Sequence, residues 1–236
     1  MKARIALVGE LDSDLPAMTS IEPALRYSAD YLGHEVECRW ISSSDVGGID
    51  LSEFGGVWFA AGGRYVDFHE TMQLIELVRT NAIPSLGTCR GFQYMVLEFA
   101  RNILGDLNAG HEEDDPCGEN LFLTALPPSS RKSKRQVEID LAAPIAPAYP
   151  RPKSFELFFG RFGVNPKVEE RLSDRGFVSM ASEYGGRYRI AGLPTHPFYI
   201  GTLFVPQMRA TKDYPHPIIN VFLKHALTRE RDRVRR

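Results

Sequence analysis

The chain has 236 residues, 43% of them hydrophobic, and its 28 basic and 30 acidic side chains give a net charge of −2. That length and apolar fraction support a sizeable core, and the near balance of charge argues against a general nucleic-acid-binding surface. Cys38, Cys89 and Cys117 lie far apart, without C-x-x-C or paired-histidine spacing, which speaks against a disulfide framework, a zinc site or another bound cofactor and fits a reducing cytoplasm.

In chain order, Arg4 to Val8 reads as a buried strand. The opening MKARIALVGE enters that strand directly, so neither a signal peptide nor a membrane partner is expected. A loop, ELDSDLP, precedes a helix from about Met18 to Leu32, with Ile21, Leu25, Ala29 and Leu32 on one side. Val36 to Ile41 alternates like a second strand, and Val57 to Ala60 is an apolar third strand that ends in Gly62-Gly63. Phe68 to Arg79 is helical, with Met72, Ile75 and Val78 spaced for burial, and Ile83 to Leu86 is a further short strand. Phe92, Met95, Val96, Phe99 and Ile103 then mark one apolar helical face that stops at Gly105.

The second half changes character. After His111 an acidic run, Glu112 to Asp115, leads into the β-like pieces LFLTAL, QVEIDL, FVSMAS, YRIAGL and FYIGTLFV. Between them PPSSRKSKRQ, with Arg131, Lys132, Lys134 and Arg135, predicts a solvated loop, an anionic ligand or partner being the weaker option. APIAPAYPRP predicts another loop, and Ile218 to Leu227 a closing helix followed by a frayed, charged tail. The pattern is α/β: a doubly wound, mostly parallel sheet with flanking helices and additional β pieces in the C-terminal half. Residues 1–228 are expected to form a single domain, with residues 229–236 as the tail.

In such sheets ligands bind beyond the carboxyl ends of the strands, where Gly62-Gly63 and Cys89 both fall. Gly87 and Gly91 bracket Thr88, Cys89 and Arg90, so the backbone can turn sharply at a strand-to-helix corner. Two readings of Cys89 stand side by side. One is a nucleophile elbow, its thiol pKa lowered by the helix N-terminus and an oxyanion bound by the following N–H; the other is a buried cysteine acting as a small apolar residue.

The residues around that turn narrow the choice. RIALVGELDSDLPAMTSIEPAL, GTCRGFQYMVLEFARNILG, and THPFYIGTLFVPQM followed by DYPHPIINVF resemble the glutamine amidotransferase domain of CTP synthase, a class I (triad) amidotransferase. The resemblance extends over nearly the whole chain and implies that family's fold. It also implies that Cys89 is the nucleophile that attacks the glutamine side-chain amide, giving a thioester and ammonia. Gly63 matches a glycine of the oxyanion loop, and Arg90, Gly91, Phe92 and Gln93 match residues after the nucleophile that contact glutamine. Glu113 matches a glutamate that binds the substrate amino group, and Arg161 an arginine that contacts the substrate. The implied partners are a glutamine-like small molecule and a separate ammonia-accepting synthetase, since no G-x-x-x-x-G-K-[ST] is present; a homo-oligomer is left open.

One motif departs from the family. Its H-P-E catalytic turn reads Val205-Pro206-Gln207, which supplies neither the base nor its orienting carboxylate. Three consequences are open: another base, His111 or His69, serves Cys89; the substrate is an ester or thioester with a better leaving group; or the chain binds a ligand or partner without catalysis. Arg90, where the family commonly has leucine, bears on what binds. His196 is a poor base, because nine extended residues place it nearly 30 Å from Val205.

Overall fold

Apolar periodicity sets most of the elements. A computed structural model describes residues 1–128, 133–183 and 186–234. Strand β1 (Lys2–Val8) is buried from Ile5 to Val8 and is followed by α1 (Pro16–Thr19) and α2 (Ile21–Leu32). The expected continuous helix from Met18 is broken at Ser20, because Pro23 has no N–H to offer the carbonyl four residues back. Next come the edge strand β2 (Glu35–Ile41), β3 (Gly56–Phe59), α3 (Phe68–Thr80), β4 (Ser85–Thr88) and α4 (Arg90–Asn102). The Asp67 side chain caps α3 by accepting from the Glu70 N–H at 2.8 Å.

The C-terminal half holds β5 (Gly110–His111), β6 (Leu121–Ala125), β7 (Ser133–Ile139), β8 (Lys153–Phe158), β9 (Phe162–Val164), α5 (Glu169–Asp174), β10 (Val178–Glu183), β11 (Gly186–Gly192), β12 (Tyr199–Thr202) and α6 (Pro217–Val234). Nine strands form one sheet in the order β2-β1-β3-β4-β12-β11-β10-β7-β8, and β5, β6 and β9 form a second. The run from β2 to β12 is parallel and the run from β12 to β8 is antiparallel, so the fold is α/β with a mixed sheet. The chain leaves β1 for β2 on one side and returns to β3 on the other, a topological switch whose crevice opens at the carboxyl ends.

Three local expectations change. Lys134 and Arg135 belong to β7 rather than to a loop, and Arg135 pairs with the buried Glu183 and stacks on Phe158 at 5.5 Å; Arg131 and Lys132 lie outside the described residues. Strand β8 escapes sequence reading because its inward positions include the polar Ser154 and Glu156 while Phe155 faces out. The closing helix continues past Leu227 to Val234. Glu230 anchors that extension, buried where its carboxylate accepts from the Arg4 N–H at 3.3 Å and pairs with the Arg4 side chain at 3.7 Å.

Among the described residues no helix is long and apolar enough to cross a membrane.

Candidate active site

Cys89 sits between β4 and α4 with φ 50° and ψ −104°, a left-handed backbone that costs a non-glycine residue about 1–3 kcal/mol. Two hydrogen bonds hold it there: its N–H donates to the Thr202 carbonyl of β12 at 2.8 Å, and its carbonyl accepts the first helical N–H, from Gln93, at 3.0 Å. The flanking glycines act differently from the sequence expectation. Neither adopts positive φ; a Cβ on Gly91 would lie 2.2 Å from the Phe59 carbonyl oxygen, so glycine lets the start of α4 press onto β3. Cysteine itself makes the turn.

The thiol borders a cavity of about 610 Å³. One wall is apolar: Cys89 packs against a buried cluster of Ala17, Ala61 and Val205, with Leu15, Leu157 and Met208 beside it. Opposite the sulfur lies Gly160, where an added Cβ would stand 3.2 Å from Sγ. Val205 is fixed by its N–H donating to the Leu157 carbonyl at 3.0 Å. The buried Gln207 donates its side-chain amide to the Ala17 carbonyl at 2.7 Å, and its Oε1 has no hydrogen-bond partner. A carboxylate could not make that donation. Burial pushes the Cys89 thiol up from its ordinary pKa, outweighing the Arg90 guanidinium and backbone N–H that pull it down. The activated thiolate expected from the helix terminus is opposed by this desolvation.

The other wall is charged. Glu113 pairs through Oε2 with Arg90 and through Oε1 with Arg161 at 2.7 Å. Although burial opposes it, the Arg90 guanidinium keeps the Glu113 carboxyl below the usual range, helped by Arg161. Arg90 is buried, stacks on the Tyr94 ring at 5.6 Å, and leaves Nη1 without a hydrogen-bond partner. Arg64 is exposed and held by Asp114 at 2.8 Å.

The structure brings Gly63, Arg90, Gln93, Glu113 and Arg161 to the cavity with Cys89 and leaves Gly91 and Phe92 outside it. Phe92 is wholly buried, stacked with Phe177 at a centroid distance of 6.4 Å, so its side chain serves the core and not a ligand. Gln93 is locked, donating to the Phe162 carbonyl at 2.9 Å and accepting from His111 Nε2 at 3.1 Å. His111 therefore has no free nitrogen: its Nδ1 accepts the Glu113 N–H at 3.1 Å, and burial with Arg90 nearby lowers its pKa to about 4. His69 is exposed on α3, where it bonds Gln73 at 3.0 Å. His196 packs against Val78 at the entry to β12, the end of the sheet away from Cys89. Among the described residues no histidine lines the cavity.

Two features escaped the sequence reading. Gly160 faces the thiol; its signal is a glycine set between aromatics in FFGRFG. Behind the apolar wall, Glu156 of β8 is fully buried on His216 at 3.2 Å, Ser154 at 2.6 Å and Arg209 at 3.3 Å, a cluster that braces the strand to which Val205 is tied.

The glutamine amidotransferase class-I family description matches residues 16–148. CTP synthase of Archaeoglobus fulgidus is 30% identical over 98% of this chain and 46% of its own length, and CTP synthase of Methanospirillum hungatei is 33% identical over 88% and 41%. The chain thus spans less than half the length of these relatives. Among solved structures, the glutaminase domain of Trypanosoma brucei CTPS with bound acivicin shares the fold, with a TM-score of 0.83 at 20% identity, covering 96% of this chain and 94% of that one.

Proposed function

Because the chain belongs to the class-I glutamine amidotransferase family, we propose that it binds a glutamine-like acyl compound in the Cys89 cavity and transfers or hydrolyses activated acyl groups, esters or thioesters, through the Cys89 thiol. The observation that carries this reading is a thiol presented by a strained turn to an open cavity whose wall at the triad position is Val205. An amide nitrogen must be protonated to leave, and neither Val205 nor the tethered Gln207 amide can receive and return that proton. His111 and His69 do not fill the gap, one having both nitrogens engaged and the other not lining the cavity. A thioester needs no such help, since its leaving thiolate departs as an anion. In the step, Cys89 gives its proton to water, Sγ bonds to the acyl carbon as the old C–S bond breaks, and the leaving thiolate takes up a proton from solvent; water then hydrolyses the Cys89 thioester, releasing the carboxylic acid and restoring the thiol. Delivery of ammonia to a synthetase is not part of this activity.

A second reading, binding without turnover, is favoured by one observation: burial raises the thiol pKa and thins the thiolate population. An acetyl thioester separates the two. Cleavage with an acetylated Cys89 in the mass spectrum, abolished in Cys89→Ser, is the result expected; cleavage equal in both proteins, or none in either, contradicts the acyl-transfer reading.

A further inference from the structure

The charged wall of the cavity points to a class of ligand, and the inference rests on the Cys89 cavity being an acyl-binding site. Glu113, at the position the resemblance assigns to amino-group recognition, spends both carboxylate oxygens inside the protein, one on Arg90 and one on Arg161. Arg90 comes from the residue after the cysteine, and its side chain is 5% exposed. Arg161 is 63% exposed and reachable from the cavity. Two guanidiniums on one carboxylate leave the cluster with net positive charge. The nearby Arg64 and Asp114 cancel each other, and Asp12, the other acidic residue of the lining, brings the cavity as a whole to neutrality, so the positive charge is confined to the Arg90–Glu113–Arg161 cluster.

An ammonium group arriving at Glu113 would have to expel a guanidinium and then lie beside a buried like charge, which disfavours it. A carboxylate meets the opposite field, with Arg161 offering free donors at the mouth and Arg90, its Nη1 unpartnered, behind it.

We propose that the cavity selects a carboxylate-bearing acyl compound without an α-ammonium group, such as a monoamide or monothioester of a short dicarboxylic acid, with Arg161 receiving the carboxylate and Arg90 setting the sign of the subsite. Glu113 becomes the residue that fixes the two arginines.

Calorimetric titration of the Cys89→Ser protein with glutaramate, which is glutamine without its amino group, and with glutamine tests this. Glutaramate should bind more tightly than glutamine by about tenfold or more, a ratio that R90L brings to one or reverses, and R161L should weaken glutaramate about tenfold, the lower end of what losing a charge-assisted hydrogen bond costs. R161L changes an exposed side chain and carries the test should R90L not fold. Equal or tighter binding of glutamine by the parent protein, or of neither compound, overturns the inference, as does a ratio that neither variant changes. Because these proteins lack the cysteine, failure here leaves the acetyl-thioester result standing, and failure there leaves this ratio standing.

Discussion

Two turns meet at the cavity, one carrying Cys89 and one carrying Val205 and Gln207. The first keeps a costly geometry: a cysteine at φ 50°, locked by Thr202 and Gln93, with α4 pressed onto β3 through Gly91. The second is relaxed and packed, with Val205 in an apolar cluster and Gln207 tied to the backbone of α1. Placing a thiol and moving its proton are thus separable properties, set by different segments. Here a strained backbone places the thiol, and the segment facing it holds packed side chains that do not titrate, Val205 and Gln207.

The largest effect expected from breaking that contrast is on rate. Val205→His combined with Gln207→Glu puts a base and its orienting carboxylate back beside the sulfur, and ammonia release from a bound amide should rise by about 10²–10⁴. A coupled ammonia assay reads it. On stability, Gly91→Ala drives a Cβ into the Phe59 carbonyl and should cost about 3 kcal/mol or more, lowering Tm by roughly 6–12 °C. Gln207→Glu alone loses the donation to Ala17 and should cost about 1–3 kcal/mol in chemical denaturation. Gly160→Ala should slow alkylation of Cys89 several-fold, about 2–10 times, with little change in Tm, since its methyl group narrows the approach to Sγ.

The smallest effect is on acid stability. The folded-state pKa of Glu113 is lowered, so its contribution is present above the unfolded value and lost as pH falls through the folded one. Glu113→Gln should therefore be less stable than wild type at pH 7, and the gap in Tm should close as pH drops below about 4.

The sequence revealed the cysteine corner, the parallel strands and the Gly62-Gly63 turn because each is local: an apolar run, a small-residue turn, a helical period. It did not reveal β8, whose buried face carries Ser154 and Glu156, polar groups made tolerable by partners from distant segments, His216 and Arg209. The same holds for the charged wall. Arg90 read as a residue that bears on what binds, without sight of its pairing with Glu113, and His111 as a candidate base, although Gln93 and the Glu113 N–H take its two nitrogens. Residue types were visible in the chain, but partnerships closed by long-range folding were not.

The central claim, a presented thiol without a proton acceptor, is tested most directly by the pH dependence of Cys89 alkylation by iodoacetamide, followed by mass spectrometry. The rate should climb with pH through about 9 without levelling, as for a thiol raised above its ordinary value. A plateau already reached below about pH 7 would reveal a thiolate held by a nearby acid–base partner and contradict the account.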